Sequence, residues 1–88
     1  MKVEFHRSFE RDIRKIRDRT VLDRLRATIL AVENADDLES VPGVKPMQGY
    51  AGYFRLRIGD FRLGIKRTDG GVRVIRFRSR GEIYRKFP

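Results

Sequence analysis

An 88-residue chain can form one domain with a thin hydrophobic core. Its hydrophobic content of 40% is ordinary for a globular protein, so we expect the chain to fold. The absence of cysteine excludes disulfides, thiolate metal sites and cysteine nucleophiles. Of the net charge of +9, residues 53–88 contribute +8, because they carry eleven Lys and Arg against three Asp and Glu. Such a concentration of positive charge favours a polyanionic partner.

The N-terminus lacks the apolar segment of a signal peptide, and no run of about 18 apolar residues occurs. We therefore expect a cytoplasmic protein with no membrane association. The lack of cysteine is compatible with a reducing compartment.

The first 17 residues predict a strand followed by a helix. Residues 1–6 alternate apolar and polar side chains, which is typical of a short strand with one buried face. Ser8 is the predicted N-cap of a helix over 8–17, where Phe9, Ile13 and Ile16 form an apolar stripe.

The next segment predicts a second helix and then a long loop. The helix begins at Thr20, has Asp23 in its first turn and ends near Asn34. Two helices this close in sequence favour an αα-hairpin that covers one face of a sheet. Residues 35–52 are rich in Pro and Gly, which predicts a loop.

From Tyr53 the apolar period changes to two, which predicts a three-stranded meander and a short C-terminal helix. Gly59-Asp60 is typical of a tight hairpin turn, and a third strand over 72–78 has apolar residues on both faces, as a central strand does. The predicted fold is a single α+β domain over 1–88, in which an N-terminal strand and an α-hairpin pack on an antiparallel sheet in the order β-α-α-β-β-β-short α.

A turn at Gly59-Asp60 fixes which side chains of the hairpin share a face. It places Arg57 opposite Arg62, and the face without helices then holds Arg55, Arg57, Arg62 and Lys66. Like charges directly opposite cost about 0.2–1 kcal/mol, and local violations of this kind tend to mark function. The alternative is a solvated face whose arginine stems cover apolar surface.

The segments YFRLRIGDFRLGIK at 53–66 and RSRGEIYRKF at 78–87 resemble the RelE toxins of bacterial toxin-antitoxin systems. The resemblance extends over the whole chain in the order of elements and implies the RelE-like microbial RNase fold. It also implies metal-independent cleavage of messenger RNA in the ribosomal A site, by attack of a 2′-hydroxyl on its own 3′-phosphate, without any cofactor. A cognate antitoxin that masks the basic face is the implied protein partner.

By this resemblance, Arg55 and Arg57 match the basic pair that grips the phosphate, and Arg62 matches the arginine that clamps the developing charge. Arg80 matches the residue beside the leaving oxygen, and Tyr84 matches the aromatic that stacks on or orients the nucleotide. Further RNA contacts are expected from the remaining basic and aromatic side chains of the same surface, namely Tyr53, Lys66, Arg78, Arg85 and Lys86.

The proton acceptor stays open, because an arginine does not give up its proton near neutral pH. Tyr84 is one candidate, since neighbouring arginines favour a phenolate. Glu82 is another, although an ion pair with Arg80 or Lys86 is the preferred explanation of this carboxylate. His6 has no evident partner, and Ser79 stands where the family often has a histidine.

Two other functions remain compatible with the sequence. The related ParE toxins share the fold and poison gyrase, and phosphate affinity alone would suit a non-catalytic RNA-binding module.

Overall fold

The computed structural model describes all 88 residues and contains five strands and three helices. In chain order they are β1 (Lys2–Phe5), α1 (Arg7–Arg14), α2 (Arg19–Asn34), β2 (Val44–Pro46), β3 (Tyr53–Ile58), β4 (Phe61–Thr68), β5 (Gly71–Ser79) and α3 (Ile83–Lys86). The strands form one sheet in the order β1-β5-β4-β3-β2. No helix has the length and apolar content needed to cross a bilayer.

The core lies between the α1–α2 hairpin and one face of this sheet. Phe9 and Leu25 come from the helices, while Leu56, Leu63 and Phe77 come from the three central strands, and all five are buried in one cluster. The predicted α+β architecture and the helical hairpin on one face are therefore confirmed.

The N-terminal strand enters the sheet in a direction that the sequence did not predict. β1 pairs in parallel with β5, from Lys2 opposite Gly71 to Phe5 opposite Val74, whereas all other neighbours are antiparallel. The sheet is thus mixed. Gly71 allows this close approach, because a Cβ there would lie 2.0 Å from the Lys2 carbonyl oxygen.

The prediction of a loop over 35–52 is wrong in part. A single 3-10 turn forms at Leu38–Ser40, and Val44–Pro46 adds the edge strand β2 to β3. Three residues are too few to show a period of two, and a proline is tolerated here because an edge strand leaves some N–H groups unpaired.

Both long helices begin one residue earlier than predicted, because other side chains cap them. The Nδ1 atom of His6, not Ser8, caps α1 by accepting from the Ser8 amide at 3.1 Å. Asp18 caps α2 through the amides of Thr20 and Val21, and Asp23 lies beyond the first turn. The first helix also ends at Arg14, three residues before the predicted position.

The meander agrees with the sequence prediction in register, and its third strand extends one residue beyond each predicted end, from Gly71 to Ser79. Gly59 adopts a φ of 59°, in the left-handed region that a tight turn requires. Arg57 lies opposite Arg62 and Leu56 opposite Leu63, as predicted, and β5 is an interior strand.

Candidate phosphate-binding site on the sheet

Five basic side chains share the sheet face that the α1–α2 hairpin leaves uncovered, and we call this surface the cationic face. It consists of Lys45, Arg55, Arg57, Arg62 and Lys66. None of them forms an ion pair with a carboxylate. Lys45 lies directly opposite Arg55 and escaped sequence analysis because strand β2 was not predicted.

The turn between β3 and β4 holds two of these cations at one end of the face. The Nε atom of Arg57 donates to the Gly59 carbonyl at 3.3 Å, and an Nη of Arg62 donates to the same oxygen at 3.2 Å. The Phe61 carbonyl accepts from Arg62 as well, at 3.0 Å. One backbone oxygen thus keeps two guanidinium groups close together, and their remaining N–H groups are free to bind an anion.

The C-terminal segment crosses part of this face, so the expectation that no helix covers it needs correction. Ile83 and Phe87 are buried, yet they lie outside the main core cluster. The Phe87 ring lies over Gly64, which is the residue opposite Arg55 on β4. Apolar residues at positions 83 and 87, one turn apart, therefore pin the short helix α3 to the sheet.

The same segment brings two predicted site residues to the cationic face. The Tyr84 side chain is 54% exposed, and the Arg55 guanidinium carbon lies 5.9 Å from its ring centroid, a cation–π contact. The Arg80 amide donates to the Asp60 carbonyl at 2.8 Å, which ties Arg80 to the β3–β4 turn. The Arg80 side chain is exposed and has no carboxylate partner.

Tyr53 and Lys66 lie at the opposite end of the face. The Lys66 ammonium is 5.2 Å from the Tyr53 ring centroid, and Phe87 packs edge-on against the same ring at 5.5 Å. Tyr53 is therefore half-buried, while neighbouring Tyr50 is exposed at a centroid distance of 6.4 Å. Tyr50 stands in a loop without periodicity, so no pattern in the sequence indicated a role for it.

Arg78 differs from the other predicted RNA-binding residues because two carboxylates hold it. Its guanidinium donates to Glu82 at 2.6 Å and to Asp12 at 3.4 Å, and only 18% of its side chain is exposed. The hydrogen bond from Arg78 lowers the pKa of the Glu82 carboxyl below its ordinary value of 4.5. RNA contact by Arg78 stays a prediction, as it does for Arg85 and Lys86, which are exposed on the last turn of α3.

Asp12 is a buried carboxylate that sequence analysis missed. It accepts from the Phe77 amide at 2.9 Å and from Arg76 at 3.1 Å, where β5 has passed the end of β1. The Asp12 carboxylate thus accepts the hydrogen bond from the Phe77 amide that a neighbouring strand would otherwise accept. Its spacing of three residues from Phe9 places it on the apolar stripe of α1, and that signal was present in the sequence.

Two candidate proton acceptors are occupied with other contacts. Glu82 accepts from Arg78 and from the Ser79 hydroxyl at 2.9 Å, so its partner is neither Arg80 nor Lys86. His6 caps α1. Tyr84 is the remaining candidate beside the cationic face. No group of three or more His, Asp or Glu side chains is arranged to hold a metal ion.

Comparisons with known proteins assign the chain to a family. Residues 3–84 match the family model described as the ParE toxin of type II toxin-antitoxin systems. The chain is 29% identical to Toxin RelE3 of Methanocaldococcus jannaschii over the full length of both proteins.

Solved structures agree with this assignment. The toxin-antitoxin complex RelB-RelE of Methanococcus jannaschii contains a chain with a TM-score of 0.81 and 26% identity, covering 97% of this chain and 99% of that one. The DinJ-YafQ complex of Escherichia coli gives a TM-score of 0.65 at 22% identity, covering 94% and 97%, and supports the fold. The chain therefore belongs to the ParE toxin family of type II toxin-antitoxin systems and is a RelE-type toxin of the RelE/ParE superfamily.

Proposed function

We propose that this toxin is a metal-independent endoribonuclease that cleaves messenger RNA in the ribosomal A site and so inhibits translation. One observation carries the proposal: the cationic face has no carboxylate partner, Tyr84 contacts its Arg55, and the Arg80 backbone is bonded to its β3–β4 turn. A surface of unpaired arginines around a hairpin turn costs stability through repulsion, and a bound phosphate chain relieves that repulsion.

The reaction proposed is an internal transesterification. The 2′-oxygen of one nucleotide forms a bond to its own 3′-phosphorus, the bond from phosphorus to the 5′-oxygen of the next nucleotide breaks, and the products are a cyclic phosphate and a 5′-hydroxyl end. Charge develops on the phosphoryl oxygens, and fixed guanidinium groups at Arg55, Arg57 and Arg62 would stabilise it. A single preorganised donor to such charge is worth about 3–4 kcal/mol in other enzymes.

Proton transfer requires a group other than these arginines, because a guanidinium does not give up its proton near neutral pH. The 2′-hydroxyl must lose a proton and the leaving 5′-oxygen must gain one. Tyr84 is the exposed titratable side chain in contact with Arg55, and we assign it to proton transfer or to stacking on the nucleotide. Arg80 would then lie beside the leaving oxygen.

A cognate antitoxin is the proposed protein partner. The structures of the relatives RelB-RelE and DinJ-YafQ are both toxin-antitoxin complexes. The net charge of +9 suits an acidic partner, which would associate rapidly and compete with RNA for the cationic face.

The second candidate function is gyrase poisoning, which the ParE description of the matching family model favours. One set of experiments separates the candidates: primer extension on messenger RNA and a gyrase cleavage assay, both with the purified chain. We expect new 5′ ends at codon positions in a translating extract and none when translation is stalled before initiation. Gyrase-linked DNA breaks would support the second candidate, and RNA binding without new ends would support a non-catalytic module.

A further inference from the structure

Gly64 occupies the centre of the cationic face and leaves a gap there. It lies opposite Arg55 on β3 and opposite Arg76 on β5, and its neighbours on the same face of β4 are Arg62 and Lys66. All four of these neighbouring positions carry a long cationic side chain, whereas position 64 carries none. A glycine inside a strand often marks the close approach of another group.

The group that approaches is the Phe87 ring. A Cβ on Gly64 would lie 2.7 Å from two ring carbons and 2.9 Å from a third, so Phe87 could not stay in place over an alanine. Phe87 is 2% exposed, although it is the penultimate residue. The backbone φ of Gly64 is not positive, so the requirement for glycine here is one of space.

The anchoring of Phe87 fixes the residues that precede it. Phe87 donates its amide to the Ile83 carbonyl at 2.8 Å, and Ile83 is itself fully buried. With these two side chains facing the sheet, Tyr84 faces outward beside Arg55. The upstream end of the segment is held separately, by the Arg80 amide on the Asp60 carbonyl.

We propose that Gly64 is a positioning residue, and that its gap seats Phe87 so that Tyr84 is held beside Arg55 on the cationic face in the geometry needed for cleavage. The inference rests on the proposed function for its effect on rate, but the seating of the segment is a structural claim that can be tested without activity. Misplacement of a reacting group by about 1 Å can cost about 100-fold in rate.

The test compares the full-length wild-type chain with Gly64→Ala and with Gly70→Ala. Gly70 is the matched control, because a Cβ there has open space and its φ is not positive. Amide hydrogen exchange, read by NMR, measures the seating at the amides of Arg80 and Phe87. Messenger RNA cleavage in a translating extract, fitted for kcat and KM, measures its consequence.

We expect Gly64→Ala to lose protection at the Phe87 amide and to lower kcat by about 10- to 100-fold with KM nearly unchanged, because the phosphate-gripping arginines stay on the strands. Gly70→Ala should match the wild type in both. Combining Gly64→Ala with Phe87→Leu removes part of the clash, and we expect it to regain activity relative to Gly64→Ala alone.

Phe87→Ala provides a second variant that leaves the sheet intact if Gly64→Ala folds poorly, and it should give the same two losses. Retained protection and retained kcat in Phe87→Ala would overturn the inference, and so would a loss of protection without any change in kcat. A wild-type chain that does not cleave RNA would overturn the proposed function, while the exchange data would still decide whether Gly64 seats Phe87.

Discussion

The two faces of the β3–β4 hairpin obey opposite rules. On the helix-covered face, Leu56, Ile58 and Leu63 are buried against the α-hairpin, as hydrophobic burial requires. On the other face, Arg57 opposes Arg62 and no carboxylate neutralises either side chain. Burial of the first face stabilises the domain. Repulsion between like charges on the second face destabilises it.

The contrast extends to the way arginines are used at the border of the cationic face. Arg76 and Arg78 on β5 point toward Asp12, whose carboxylate lies within 3.4 Å of both. The cationic-face side chains on β3 and β4 have no such partner. The chain therefore compensates arginines that serve structure and leaves uncompensated those that we assign to RNA.

The largest expected effect comes from the apolar face. Leu63 is fully buried, so Leu63→Ala should lower the free energy of unfolding by about 2–5 kcal/mol through lost burial and a residual cavity. Chemical denaturation measures this value. Leu30→Ala is the control, because Leu30 is 53% exposed and its truncation should change stability little. Equal losses in the two variants would contradict the location of the core.

The next effect concerns the buried carboxylate at the border. Asp12→Ala leaves the Phe77 amide and Arg76 without their acceptor and leaves Arg78 with Glu82 alone, so we expect a loss of about 3 kcal/mol in unfolding free energy. Thermal and urea denaturation measure it. Asp23→Ala is the control, since Asp23 is exposed on α2 and forms no ion pair. A wild-type stability for Asp12→Ala would show that Asp12 is not a structural partner of β5.

The cationic face should show the reverse pattern, with a small effect on stability and a large effect on RNA. Arg57→Ala removes one of two opposed like charges, so stability should stay within about 1 kcal/mol of wild type, in the stabilising direction. Binding to a single-stranded RNA with a 2′-deoxy substitution at the cleaved position should weaken, and its logarithmic salt slope should fall by about 0.7. Arg19→Ala, on the helical side, should change neither quantity. A destabilised Arg57→Ala variant with unchanged RNA binding would contradict the proposal that the cationic face binds RNA and does not stabilise the fold.

The smallest expected effect is the pH dependence of the Glu82 contact. The pKa of the Glu82 carboxyl lies below 4.5 in the folded chain, chiefly because of the Arg78 hydrogen bond. The contribution of the Glu82–Arg78 contact to stability is therefore fully present above the unfolded-state pKa of Glu82. It is lost as the pH falls through the lower pKa that Glu82 has in the folded chain. Glu82→Gln should melt below wild type at pH 7, and the difference should shrink in acid. Glu10→Gln, at an exposed carboxylate without an ion pair, should show no such trend; a pH-independent difference for Glu82→Gln would contradict the pairing.

Features with local causes could be predicted from the sequence. The Gly59-Asp60 turn determines the register of β3 and β4, and the alternation on both strands determines which residues are buried. These two signals were sufficient to place Arg55, Arg57 and Arg62 on one face. The existence of α1 and α2 also followed from their apolar stripes.

Features that depend on distant parts of the chain could not be predicted in the same way. Alternation in residues 1–6 gives no strand direction, and the parallel pairing of β1 depends on Gly71, about seventy residues away. The covering of Gly64 by Phe87 joins a strand interior to the C-terminus. Neither glycine was predicted to be a point of contact, although a glycine within a strand is a signal for one.

The central claim is that the uncompensated cations of the β3–β4 hairpin cleave RNA, and Arg62→Ala tests it most directly. The measurement maps the 5′ ends of a messenger RNA by primer extension after incubation in a translating extract with wild type, Arg62→Ala or Arg19→Ala at equal concentrations. We predict codon-spaced ends with wild type and Arg19→Ala, and a loss of about 100-fold or more with Arg62→Ala, whose melting temperature should stay close to that of wild type. Equal cleavage by Arg62→Ala and wild type would contradict the claim.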